Sequence, residues 1–225
     1  MIAPYKGTFR ISQTWNNLRS NGTLHQGFDL VGIADKRLYS PVYGTVVRAG
    51  WENPKNAKQG WGRRVVVRIG KTRFYMYFGH LSSIAVTAGQ TVKPGDLIGI
   101  EGSTGHSTGS HLHWEIRESD NHSLYRDMPQ YSGIPNVTSR TARTSAWDDS
   151  LLGSTTLAAG RNSYPAAIHN ATLQARLSAL GFDAGDPDGL FGAKTTAAVK
   201  QFQLSRSLTV DGKVGAKTKA ALFAP

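Results

Sequence analysis

Two short strings in the first half of the chain offer donor atoms at spacings that suit a metal: His25-Gln-Gly-Phe-Asp29 and His111-Leu-His113. The chain has no cysteine, so zinc would take imidazole nitrogen and carboxylate oxygen here. A hydrolytic zinc uses three protein ligands and keeps one position open for water. Two imidazoles and a carboxylate are enough for that, and the remaining histidines are left for proton transfer. His80, in Tyr77-Phe-Gly-His80-Leu, is a further imidazole upstream of the second string.

These residues need elements to aim them. The stretch His111-Leu-His-Trp-Glu-Ile116 has the pattern of a strand, in which residues i and i+2 share a face. His111 and His113 then face one site while Leu112 turns into the core. Glu115 shares their face if the strand stays regular, and is expected at the surface or rim rather than behind an imidazole. Short β-branched or aromatic runs at 44–49, 64–69 and 73–78, punctuated by Gly, Asn and Pro, predict an antiparallel β domain. The segment 53–62 reads as an exposed loop, by itself no more than a hairpin connection. The Gly-rich loop 102–110 lacks the Gly-Lys-Ser/Thr ending of a nucleotide loop and is expected to shape the approach to the last strand. His106 in that loop is given no site role, and His122 and His169 are expected at the surface.

The set His25-x-x-x-Asp29, His80-Leu and His111-x-His113 resembles the M23 metallopeptidases, the lysostaphin-type peptidoglycan endopeptidases. Pro41–Trp51, Val92–Gly99 and Gly102–Gly105 resemble the flanks of those motifs, and the order is the family's. The resemblance covers roughly residues 1–130. It implies an antiparallel all-β catalytic domain with one zinc, held by His25, Asp29 and His113. It implies that His80 and His111 are the catalytic histidines, which orient or deprotonate water and steady the tetrahedral intermediate. Phe78 and Trp114 stand where the family often has Tyr and Phe. The active-site tyrosine that some members carry before the first motif has no assigned counterpart. The His-Glu-x-x-His signature of other zinc peptidases is absent.

The second half is patterned differently. Asp188-Gly-Leu-Phe-Gly192-Ala-Lys-Thr195 is echoed by Asp211-Gly-Lys-Val-Gly215-Ala-Lys-Thr218. Leu173, Leu177 and Leu180 recur at helical spacing, with Gly181 as the stop. Ala197, Val199, Phe202 and Leu204 continue the apolar pattern. The Asp-Gly pairs are turn signals expected to fix loops that start helices near Lys194-Thr195 and Lys217-Thr218. This half, roughly 166–223, resembles the peptidoglycan-binding type 1 module, a small all-α three-helix domain.

The expected organisation is therefore a zinc peptidase domain at 1–135, a linker at 136–165 and a peptidoglycan-binding domain at 166–225. The linker is assigned on its Ser, Thr, Gly and Pro content, as in Val137–Ala146. Residues 131–135 are candidates for the first domain, and 147–152 for a short docking turn.

The formal net charge of +11 divides as +7 in 1–127, +1 in 128–165 and +3 in 166–225. Such an excess suits an anionic partner, nucleic acid or a bacterial wall, or serves solubility alone. No nucleic-acid recognition motif accompanies the charge, so no nucleic-acid partner is expected. No stretch approaches a membrane span and no export signal is visible at the start.

Together these readings give a zinc-dependent endopeptidase for peptide cross-links of bacterial peptidoglycan. It is expected to be monomeric and of the phage-endolysin kind, made in the host cytoplasm and acting at the wall. The alternatives are a non-catalytic wall-binding protein or hydrolase activator, an amidase with the same zinc, and a bacterial autolysin or bacteriocin.

Overall fold

The computed structural model describes residues 2–119, 124–144 and 148–224. His122 and Trp147 lie outside the described residues. The elements, in chain order, are β1 (Gly7–Gln13), β2 (Phe28–Gly32), β3 (Arg37–Tyr39), β4 (Gly44–Trp51), β5 (Arg63–Ile69), β6 (Tyr75–Gly79), β7 (Ser83–Ile84), β8 (Thr91–Val92), β9 (Leu97–Ile100), β10 (Leu112–Arg117), α1 (Met128–Ser132), β11 (Thr141–Thr144), α2 (Ala166–Ala179), α3 (Ala193–Ser205) and α4 (Ala216–Phe223). The chain divides into two compact units, Met1–Arg68 with Arg73–Ala146 and Ile69–Thr72 with Trp147–Pro225.

The first unit is a sheet of eight strands in the order β11-β1-β2-β10-β6-β5-β4-β8, beside a small sheet β3-β9-β7. β10 sits mid-sheet, antiparallel to β2 and β6, and all six of its residues are buried. Leu112, Trp114 and Ile116 fill the apolar core on one face. His113, Glu115 and Arg117 therefore lie on the other face, which is polar and closed from water at the same time. The register His113↔Asp29 across β2 brings the two strings of the sequence side by side.

The approach to β10 hangs on one carboxylate. Glu101 is buried and accepts from Tyr5 Oη (2.6 Å), Gly32 N (2.7 Å), Lys36 Nζ (2.6 Å) and Ser110 Oγ (2.7 Å). Four donors satisfy a charge that burial alone would not tolerate. They also fix the chain next to His111. The unit is not purely β, because α1, capped by Asp127, sets Tyr131 against Trp114 with ring centroids 6.3 Å apart.

Of the stretch 136–165, expected as a linker from its composition, the described residues are partly built into the two units. β11 pairs with the edge strand β1, from Gly7↔Thr144 to Arg10↔Thr141. Asp149–Leu152 forms a 3-10 turn, and Leu152 and Leu157 are buried in the core of the helical unit. The difference has a physical cause. An edge strand written Thr-Ala-Arg-Thr buries only Ala142 and Thr144, so it carries no hydrophobic alternation strong enough to see.

In the second unit α2, α3 and α4 enclose Leu173, Leu177, Phe191, Val199, Phe202, Val214 and Leu222. Each half of the internal repeat is built around a glutamine. Gln174 Nε2 donates to Asp188 Oδ1 (2.9 Å), and Gly189 N donates back to Gln174 Oε1 (2.9 Å). Gln203 repeats both bonds with Asp211 and Gly212, each at 2.9 Å. The Asp-Gly turns thus set the starts of α3 and α4, as expected from the sequence. Gly181 follows α2 in the left-handed conformation (φ 88°). Ala197 and Leu204 differ from the expected apolar face, for both are exposed.

His169, expected at the surface, is buried, and its Nδ1 donates to the Leu151 carbonyl at 3.0 Å. Burial pushes its pKa down to about 4, the Leu151 bond opposes that, and nearby Lys219 adds to it. The unfolded chain therefore binds this proton between about pH 6.5 and 4 while the native chain does not, so stability falls with pH across that window. The expected loss is on the order of 3 kcal/mol. Thermal unfolding of the intact protein at pH 7 and pH 4.5 should show a smaller difference for His169→Gln than for wild type. Equal differences would contradict it.

Candidate metal centre

Three donor atoms converge at the start of β2 and β10. His25 Nε2 lies 3.1 Å from Asp29 Oδ1 and 3.0 Å from His113 Nδ1, and His113 Nδ1 lies 2.9 Å from the same Asp29 oxygen. His25 and His113 are buried, and Asp29 keeps a small opening to solvent.

The outer nitrogens are committed elsewhere. His25 Nδ1 donates to the Thr14 carbonyl at 2.9 Å. His113 Nε2 donates to Glu115 Oε2 at 3.1 Å. While both rings are neutral, the inner nitrogens present lone pairs to each other and to a carboxylate. Electron-rich atoms this close repel unless a proton or a cation sits among them. Tetrahedral zinc with bonds of 2.0–2.1 Å spaces its ligand atoms about 3.3 Å apart, a few tenths of an ångström wider than here. The donor set fits zinc in type, number and tautomer.

The electrostatics say the same. Burial raises the Asp29 carboxyl, but hydrogen bonds from His113 and His25 outweigh it and hold the pKa well below the usual carboxylate range. Burial lowers the His113 imidazole, yet Asp29 and Glu115 together push it up to about 9. His25 falls below its ordinary value because burial outweighs Asp29. The site as a whole attracts positive charge.

Two more imidazoles stand beside it. His111 precedes β10, its Nδ1 donates to the Gly109 carbonyl (2.8 Å), and its Nε2 lies 3.8 Å from Asp29 Oδ1. His80 follows β6, and its Nδ1 donates to the Thr104 carbonyl (2.8 Å). The two rings are 4.6 Å apart between centroids. Burial pushes the His80 pKa down to about 4 against the Thr104 bond, so its Nε2 is an unprotonated base at neutral pH. His80 also has φ 64°, a left-handed backbone that few non-glycine residues adopt. It is held there by its N–H donating to the Trp61 carbonyl at 2.7 Å.

Two contributors to the site are not legible in the sequence. Glu115, expected at the rim, is fully buried behind His113, because the polar face of β10 is roofed by Trp61. The Trp61 ring lies nearly parallel to that of His113, with centroids 6.0 Å apart and 16° between planes. The segment 53–62 is therefore no plain hairpin connection. Gly60 and Gly62, both with positive φ, bracket Trp61, and the loop joins the Gly-rich loop through Gly105 N to Ala57 O (3.0 Å) and His106 N to Gly60 O (2.8 Å). A Cβ on Gly62 would lie 2.4 Å from Gly105 N, so only glycine permits this approach. The His106 side chain is exposed.

Residues 23–124 match peptidase family M23. This stretch is an M23 peptidase domain. Residues 171–222 match the peptidoglycan-binding domain family PG_binding_1. The chain is 40% identical over 139 residues to peptidoglycan DD-endopeptidase ShyA of Vibrio cholerae, a match covering 59% of this chain and 31% of that protein. It is 33% identical over 114 residues to lysostaphin of Staphylococcus simulans, covering 48% and 22%. It is 34% identical over 108 residues to the L-Ala–D-Glu endopeptidase of Bacillus subtilis, covering 46% and 31%. The chain thus spans less than a third of the length of each of these relatives. All five residues that the family resemblance singled out, His25, Asp29, His80, His111 and His113, lie together in the M23 domain of this chain.

Proposed function

We propose that the protein is a zinc-dependent endopeptidase that hydrolyses peptide cross-links of bacterial peptidoglycan. We infer a lytic enzyme of the endolysin kind that works as a monomer at the cell wall. The observation that carries this reading is the convergence of His25 Nε2, Asp29 Oδ1 and His113 Nδ1 beside two further imidazoles.

His25, Asp29 and His113 would hold the ion. When bound, zinc supplies Lewis-acid polarisation of a carbonyl and makes water more acidic near neutral pH. The protein supplies the rest. His80 is kept neutral by burial, so Nε2 can take a proton as the nucleophile adds and return it to the leaving amine. His111, anchored through Nδ1, aims Nε2 at the same space and can donate a hydrogen bond where negative charge develops. Trp61 keeps water from the outer side of His113.

The helical unit would hold the enzyme on an insoluble polymer, which raises the local concentration of cleavable bonds. The excess of positive charge supports attraction to an anionic wall. No helix among the described residues is long and apolar enough to cross a membrane.

The reading is tested on suspensions of purified walls. Clearing is expected with the protein as isolated, is lost after dialysis against a chelator, and returns with one equivalent of zinc. Clearing that survives complete metal removal would contradict it.

A further inference from the structure

We propose that Arg117 is a positioning residue of the metal centre: its guanidinium ties together the two segments that carry His113 and His25. The inference rests on the zinc reading above and adds a residue to which no motif assigned a role.

Arg117 lies on β10 four residues past His113, on the same face as Glu115. Its Nε donates to Glu115 Oε1, while Glu115 Oε2 accepts from His113 Nε2. Its Nη2 donates to Gln26 Oε1 at 2.8 Å, and Gln26 directly follows His25. Four side chains therefore run in an unbroken line, Gln26–Arg117–Glu115–His113, behind the site. The guanidinium sits 4.9 Å from the Trp61 ring centroid and 5.3 Å from that of Tyr77. Both Arg117 and Glu115 are closed from solvent.

Backbone pairing does not do this work. The β2–β10 ladder fixes Asp29 against His113 but stops at Phe28↔Trp114. His25 lies before the ladder and is held on the other side, by backbone bonds to Asn16 and Asn17 and by the Thr14 carbonyl. Among the described residues, the Gln26–Arg117 bond is the side-chain hydrogen bond that joins this stretch to the far end of β10. A buried ion pair is poor stabilisation, since an apolar pair of the same size is often as stable or more so. Its use is directional, because the planar fork of arginine sets two acceptors at fixed angles.

The test is a competition titration of zinc against a chromophoric chelator, with the absorption spectrum of the cobalt-substituted protein as a second readout. Wild type, Gln26→Leu, Arg117→Lys and Arg117→Met are compared as full chains. Loss of an outer hydrogen bond to a ligand typically costs about 10–100-fold in metal affinity. Arg117→Met is expected in that range. Gln26→Leu is expected to weaken zinc at least several-fold and to shift the cobalt bands, with Arg117→Lys between the two. Gln26→Leu leaves the buried charge pair intact, so it decides the matter if Arg117→Met does not fold. Wild-type affinity and an unchanged cobalt spectrum in Gln26→Leu and Arg117→Lys would overturn the proposal. A wild-type protein that takes up no zinc would remove the metal reading itself, and this inference with it.

Discussion

Asp29→Ala and His113→Ala are expected to lose bound zinc and all measurable wall cleavage. The reason is ligand number. Three donors within 3.1 Å of one another form the candidate site, and removing one leaves two. Asp29 is also the only negative charge among the three, and its oxygen touches both imidazoles. Its loss leaves two buried lone pairs facing each other with nothing to offset them. Zinc affinity should fall well beyond the roughly 10–100-fold that an outer hydrogen bond is worth. Metal analysis after gel filtration checks this. Stoichiometric zinc retained by His113→Ala would show that the ligands lie elsewhere.

His80→Asn and His111→Ala are expected to behave in the opposite way, keeping zinc while losing turnover by about 10²–10⁴-fold. Neither imidazole is among the three converging donors, and each already spends its Nδ1 on a backbone carbonyl. The choice of asparagine at position 80 matters. The backbone there has φ 64°, and alanine would add strain that asparagine largely avoids. Loss of activity in His80→Asn with normal zinc and normal thermal stability then reports the missing base alone. Near-normal turnover in both variants would remove them from the chemistry.

The parts of the site that were legible in the sequence are those whose chemistry is written in side-chain type and spacing. His111 and His113 at i and i+2 and Asp29 four residues after His25 needed only a strand and a turn to meet. The Asp-Gly repeats likewise announced the turns before α3 and α4. What stayed hidden has physical reasons. Thr14 and Thr104 act through backbone carbonyls, which every residue type offers, so no letter in the sequence marks them. Glu115 looked like a surface charge because isolated charged residues usually are, and Arg117 drew no reading at all. Their burial depends on Trp61, which reaches over them from a loop more than fifty positions away in sequence. His169 was misplaced for a related reason: the segment that buries it, around Leu151, carries too short a pattern to be recognised as part of a core. Glu101 gave no signal at all, since its four donors come from three separate stretches of chain, around residues 5, 32–36 and 110.

The most direct test of the central claim is mass spectrometry of the fragments released from purified walls of several cross-link types, with and without a chelator. New amino and carboxyl termini are expected within the peptide cross-link of at least one wall type, absent when zinc is removed. Fragments cut only between glycan and stem peptide, or a protein that binds the walls and releases nothing, would contradict it.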